Sequence, residues 1–180
     1  MNQAITLGIT RHTLYTLRDR GIIDRIGEGI YHLHDNKPIG NPDFVSIAIR
    51  YPKAIICLTS ALAYHEMTTQ IPKAIDIAIT RKSYQPSIKS MPIKVHRFSE
   101  PTFLSGMREY LIDNVPIRIY CPEKTLVDCF KFRHHLGIDI PIEALKLYKE
   151  RANQNIPEIL HYAKVCRVAK AMIPYLEATF

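Results

Sequence analysis

The chain has 180 residues, of which 47% are hydrophobic, and a formal net charge of +7. That length suits one medium domain or a small domain joined to a larger one, and the apolar fraction excludes an intrinsically disordered chain. The excess of Lys and Arg is compatible with an acidic partner such as nucleic acid. No apolar run reaches the length of a membrane span, and the N-terminus lacks the apolar core of a secretory signal. The expectation is a cytoplasmic protein with no membrane partner. Its four cysteines, Cys57, Cys121, Cys129 and Cys166, show no CxxC spacing and read as free, buried thiols. A metal site from Cys121, Cys129, His134 and His135 is disfavoured, because the spacing fits no common zinc pattern. Neither a metal nor a cofactor is expected; there is no phosphate-cradling Gly-rich loop.

Four of the seven glycines lie between Gly8 and Gly29, which marks a small, turn-rich unit. Thr10 is the expected N-cap of a helix from Arg11 to Arg20, with Leu14 and Leu17 facing inward and Gly21 as its stop. Ile22, Ile23 and Ile26, then Ile30-Tyr31-His32-Leu33 across Gly27-Glu28-Gly29, read as a β-hairpin. Residues 34–41 read as a linker. Asn41 caps a helix with Pro42 in its first turn, running to about Arg50. A short buried strand follows at Ala54 to Leu58, then a helix capped by Thr59 or Ser60 and running to about Met67.

Ile75, Ile77 and Ile79 alternate with less apolar neighbours, as in a strand with one buried face. Arg81 to Met91 reads as a basic loop. Pro92 to Phe98 reads as a strand, and Arg108 to Ile112 pairs with Val115 to Tyr120 through a tight Asp113-Asn114 turn. The end is helical, with Glu123 to about Leu136 and two further helices started by Pro141 and Pro157. The expected class is α+β: a partial winged helix-turn-helix in residues 1–35, then a domain over 36–180 with a mixed sheet and a helical tail. The charge follows this division. Residues 1–35 are neutral overall, whereas 36–120 hold 11 basic against 6 acidic residues.

A helix that reads a major groove needs one buried face and an outward face with polar and basic groups near its N-terminus. Arg11, Tyr15 and Arg18 stand at i, i+4 and i+7 on one face, with Thr10, His12, Thr13 and Thr16 on the early turns. The hairpin supplies a wing, with Arg25 placed for a phosphate. Only Met1 to Leu7 precede the Gly8-Ile9 turn, room for two helical turns at most, so the expectation is a partial unit: the chain starts late, or another part of the protein or a partner completes it. A second basic group, Arg81, Lys82, Lys89, Lys94 and Arg97, reads as a polyanion contact.

These segments resemble the AbiEi-type antitoxins of toxin–antitoxin pairs. The run Ala4, Gly8-Ile9, Thr10-Arg11, Leu14, Leu17, Gly21-Ile22-Ile23, Arg25-Ile26 and Gly29-Ile30-Tyr31 resembles the end of that family's winged helix. Ser60-Ala61-Leu62 with His65, and Glu123-Lys124-Thr125-Leu126-Val127-Asp128, resemble two later segments. The resemblance implies a transcriptional repressor that binds double-stranded DNA at its own promoter. It also implies a C-terminal region that counteracts a nucleotidyltransferase-like toxin, directly or indirectly, and no catalytic residues.

Two other readings stand beside it: a metal-dependent nuclease built on Glu123, Lys124 and Asp128, and a toxin-binding module without DNA binding. Glu123 and Asp128 lie about 140° apart around a helix and do not converge by themselves. Lys124 and Asp128 read better as an i, i+4 pair, with Glu123 favouring the helix dipole. Ser60 as nucleophile and His65 as base do not face each other at i, i+5.

Overall fold

The structure, a computed structural model, describes residues 6–27, 29–34, 40–86 and 91–180. The first helix, α1 (Arg11–Asp19), starts where Thr10 Oγ1 accepts the Thr13 N–H at 3.1 Å. Gly21 follows at φ +68°, a conformation that costs a glycine little and ends the helix. The hairpin β1 (Ile23–Gly27) and β2 (Ile30–Leu33) is antiparallel, with a register shift between Arg25 and Gly27. Ile26, at that irregularity, packs against the core of the larger unit. Glu28 and residues 35–39 of the expected linker lie outside the described residues.

Next comes α2 (Pro42–Arg50), capped by the Asn41 side chain as expected. β3 (Ile55–Ile56) leads into α3 (Leu58–Tyr64), then β4 (Ile75–Thr80), β5 (Ile93–Phe98), α4 (Glu100–Leu104), β6 (Met107–Ile112) and β7 (Val115–Tyr120). The end is wholly helical: α5 (Pro122–Lys131), α6 (Arg133–Leu136), α7 (Asp139–Lys149), α8 (Ile156–Val165) and α9 (Ala169–Thr179). The expected α+β class, mixed sheet and helical C-terminus are therefore present. The five-stranded sheet has the order β5-β4-β3-β7-β6. β4 is parallel to β5 and β3 to β7, while β3–β4 and β6–β7 are antiparallel. Asp113 and Asn114 turn β6 into β7 with φ +49° and +62°, the two positive values a type I′ turn demands.

Side chains alternate across this sheet, and each face carries its own core. Ile56, Ile77, Ile79, Ile117 and Ile119 pack against Phe44, Val45 and Ile47 of α2. On the other face Ile55, Ala78, Phe98 and Tyr120 meet Leu126, Val127 and Phe130 of α5, with α7, α8 and α9 behind. β4 is thus buried on both faces, not on one as its alternation suggested.

Several boundaries differ from expectation: the strand expected over Ala54 to Leu58 is only Ile55–Ile56, and the helix expected to reach Met67 ends at Tyr64. α3 starts at Leu58, after Cys57 rather than after Thr59 or Ser60. The two hydroxyls do other work: Thr59 Oγ1 donates to the Asp76 carboxylate, and Ser60 Oγ accepts the Asp76 N–H at 2.8 Å, so both tie α3 to β4. The expected helix to Leu136 is broken at Phe132, whose ring turns onto those of His96 (5.5 Å) and Phe98 (5.7 Å). A third late helix, α9, was hidden by its internal Pro174.

Candidate nucleic-acid interface

α1 rests on the rest of the protein through Leu14, its one buried residue, with Leu17 half-buried. Arg11, His12, Thr13, Tyr15 and Arg18 are exposed, as is Thr10. The i, i+4, i+7 face expected for Arg11, Tyr15 and Arg18 is therefore open to solvent. Thr16 is half-buried, and its hydroxyl donates to the His12 carbonyl at 3.0 Å, so it serves its own helix. The Arg18 guanidinium lies 5.3 Å from the centre of the Tyr15 ring. It also donates to Asp19 Oδ1 from Nε (2.9 Å) and Nη2 (2.7 Å), and this carboxylate raises its pKa. Arg25, exposed on β1, stands opposite Tyr31 of β2.

The charge at the start of α1 is one-sided. Its first turn carries no acidic side chain. The N-terminal end of a helix has partial positive charge, and Arg11 adds to it instead of offsetting it. The Thr13 N–H is taken by Thr10, and the positive dipole end with Arg11 beside it is the kind of electrostatics that favours an anion. Neither a protein-family model nor a characterised protein matches the chain.

The second basic group does not form one surface. Lys94 and Arg97 are three apart on β5, so they project from opposite faces of the sheet. Arg97 Nη1 donates to the carbonyls of Arg81 and Ser83, both at 2.9 Å, and so shapes the turn after β4. Arg81 and Lys82 are exposed beside a shallow cleft with Phe98 and Glu100. Lys89 lies outside the described residues.

The segments that carried the family resemblance beyond the hairpin lie in the interior. His65 Nε2–H donates to the Tyr120 carbonyl at 2.7 Å, and burial lowers its pKa. Ser60 and His65 have different partners and do not meet. All six residues from Glu123 to Asp128 are buried. Lys124 and Asp128 form the expected pair, yet both side chains are 0% exposed, so this is an interior ion pair and not a surface one. Burial raises the Asp128 carboxyl, and Lys124 acts against that shift. Glu123 turns elsewhere, accepting from Tyr148 Oη at 2.8 Å.

All four thiols are free and buried, as expected. Burial pushes Cys166 up to about 11 and Cys57 and Cys129 well above the ordinary thiol range. His134 and His135 are exposed while Cys129 is fully buried, so the sequence-derived metal set does not assemble. Cys121 instead meets Glu123 and Glu158. The only local trace of that grouping is Cys121-Pro122-Glu123 at a helix start; Glu158 arrives from α8, which no local pattern reveals.

Proposed function

We propose that this chain is a DNA-binding regulator of the AbiEi antitoxin type. In this reading α1 and the β1–β2 hairpin work as a winged helix-turn-helix on the operon's own promoter. Residues 36–180 counteract a nucleotidyltransferase-like toxin, and the protein works in the cytoplasm without catalysing a reaction. The observation that carries the proposal is the outward face of α1. Arg11, His12, Thr13, Tyr15 and Arg18 are all exposed, and no acidic residue stands in the first turn. A basic N-terminal turn is unfavourable to the helix alone and favourable once phosphates surround it. A single helix fits the major groove, about 12 Å wide, with its first residues at the base edges. The nuclease alternative finds less support, because Asp128 is buried in an ion pair with Lys124 and is not among the groups that gather around Glu123.

The test is binding of the full chain to the DNA upstream of its coding sequence, by fluorescence anisotropy across a salt series. Arg11→Ala is expected to weaken binding by about 1–3 kcal/mol if it reads a base. Arg18→Ala is expected to flatten the salt dependence. Unchanged affinity and salt slope in both variants would remove α1 from the role of reader.

A further inference from the structure

We propose that Cys121, Glu123 and Glu158 form a binding site for one divalent transition-metal ion of the zinc class. The site lies far along the chain from α1 and stands whether or not α1 binds DNA. One ligand atom from each of the three residues lies within 4.8 Å of the other two. Zinc bonds of about 2.0–2.3 Å place tetrahedral ligands roughly 3.3–3.8 Å apart, so small rotamer adjustments close the set. The elements present it stiffly. Cys121 stands immediately before α5, its N–H bonded to the Gly106 carbonyl at 2.8 Å, Glu123 is in the first turn of α5, and Glu158 is in the first turn of α8.

The carboxylates are already oriented by outer partners, as metal ligands commonly are. Tyr148 Oη donates to Glu123 Oε1 at 2.8 Å and itself accepts the Asn155 N–H at 2.7 Å. Tyr162 Oη donates to Glu158 Oε1 at 2.6 Å, and Asn155 Nδ2 to Glu158 Oε2 at 3.0 Å. One group is left without a partner. Glu123 is only 6% exposed, and its Oε2 has no hydrogen bond among the described residues. A buried carboxylate oxygen in that state is costly, and a cation satisfies it.

Charge agrees. Arg108 Nη2 lies 3.5 Å from Glu158 Oε1, a long contact that neutralises one negative charge of the set. On binding, the thiol gives its proton to solvent, and the three negative charges of a thiolate and two carboxylates meet the dication, Arg108 and Arg151, which lines the same cleft. The mixed sulfur and oxygen donors select a zinc-like ion over magnesium or calcium, which take oxygen alone. Glu123 and Glu158 line a cleft of about 510 Å³ together with Arg108, Asn153 and Gln154, and Cys121 lies buried behind them, so an ion would enter from the carboxylate side, where a fourth ligand has room.

The experiment is titration of cobalt(II), a spectroscopic stand-in for zinc, into the reduced, chelator-treated full chain. One equivalent is expected to produce a sulfur-to-cobalt charge-transfer band, which zinc then bleaches. Cys121→Ser should abolish the band, and Cys166→Ser should retain it. Glu158→Gln and Glu123→Gln preserve the tyrosine hydrogen bonds, so they should fold normally by circular dichroism and bind at least about tenfold more weakly. Absence of the band in the native chain overturns the proposal. So does a band that persists in folded Cys121→Ser, or equal affinity in both glutamine variants.

Discussion

Replacing Lys124 with Met tests the interior most directly. The ammonium forms an ion pair with Asp128, both side chains fully buried, and lies 4.2 Å from the centre of the Tyr120 ring. Methionine keeps an unbranched stem against Gly106 and Tyr120 but removes the charge. Among the described residues, Asp128 would keep the weak Cys166 Sγ–H contact at 3.6 Å and the more distant charge of Lys131. An exposed i, i+4 pair is worth about 0.2–0.5 kcal/mol, whereas orphaning one partner of a buried pair costs about 3–5 kcal/mol. Against a total stability of about 5–15 kcal/mol the second figure is large. With a urea slope of about 2 kcal/mol per molar, the unfolding midpoint should fall by roughly 1.5–2.5 M.

Adding Asp128→Asn should recover a substantial part of the loss, giving a coupling energy in a double-mutant cycle. The pH dependence has a definite sign. Burial already raises the Asp128 carboxyl, and loss of Lys124 raises it further. A folded-state value above the unfolded one stabilises below the unfolded pKa, and that contribution is lost as pH rises through the folded value. The deficit of Lys124→Met should therefore shrink between pH 8 and pH 5. A loss below about 1 kcal/mol, or no recovery with Asp128→Asn, would refute the reasoning.

Two glycines make a paired prediction. Gly21→Ala meets no atom within 4 Å and should cost about 1 kcal/mol for its positive φ alone. Gly106→Ala, at φ +71°, would place its Cβ 2.5 Å from Lys124 Cβ and should cost about 1–3 kcal/mol more; equal melting shifts would contradict that packing. His65 supplies a pH prediction. Burial holds its imidazole neutral, so its contribution is complete above the unfolded pKa of about 6.5 and is lost as pH falls through that value toward the folded one. The drop in stability between pH 8 and pH 5.5 should be smaller in His65→Gln, and identical drops would exclude the role.

Much of the local structure was legible because its causes are local. Thr10 and Asn41 cap α1 and α2 at the expected residues, since a short side-chain acceptor three residues before an N–H acts within one turn. The Asp113-Asn114 turn was equally plain, because few residue pairs tolerate positive φ twice. The outward set on α1 followed from its 3.6-residue period alone, and exposure of Arg11, Tyr15 and Arg18 agrees with it.

What the sequence could not determine depends on partners distant along the chain. Thr59 and Ser60 look like caps, but they are drawn to Asp76, seventeen and sixteen residues on, once β4 lies beside α3. Lys94 and Arg97 look like one basic patch, but pleating divides them. Lys124 and Asp128 have the spacing of a surface pair, and the packing of α3, α7 and α8 on α5, with the Tyr120 ring over the ammonium, makes the pair an interior one. The grouping of Cys121, Glu123 and Glu158 is of the same kind. Spacing along a helix reports which side chains share a face; which other element covers that face is decided by burial of apolar surface across the whole chain, and tertiary structure alone decides it.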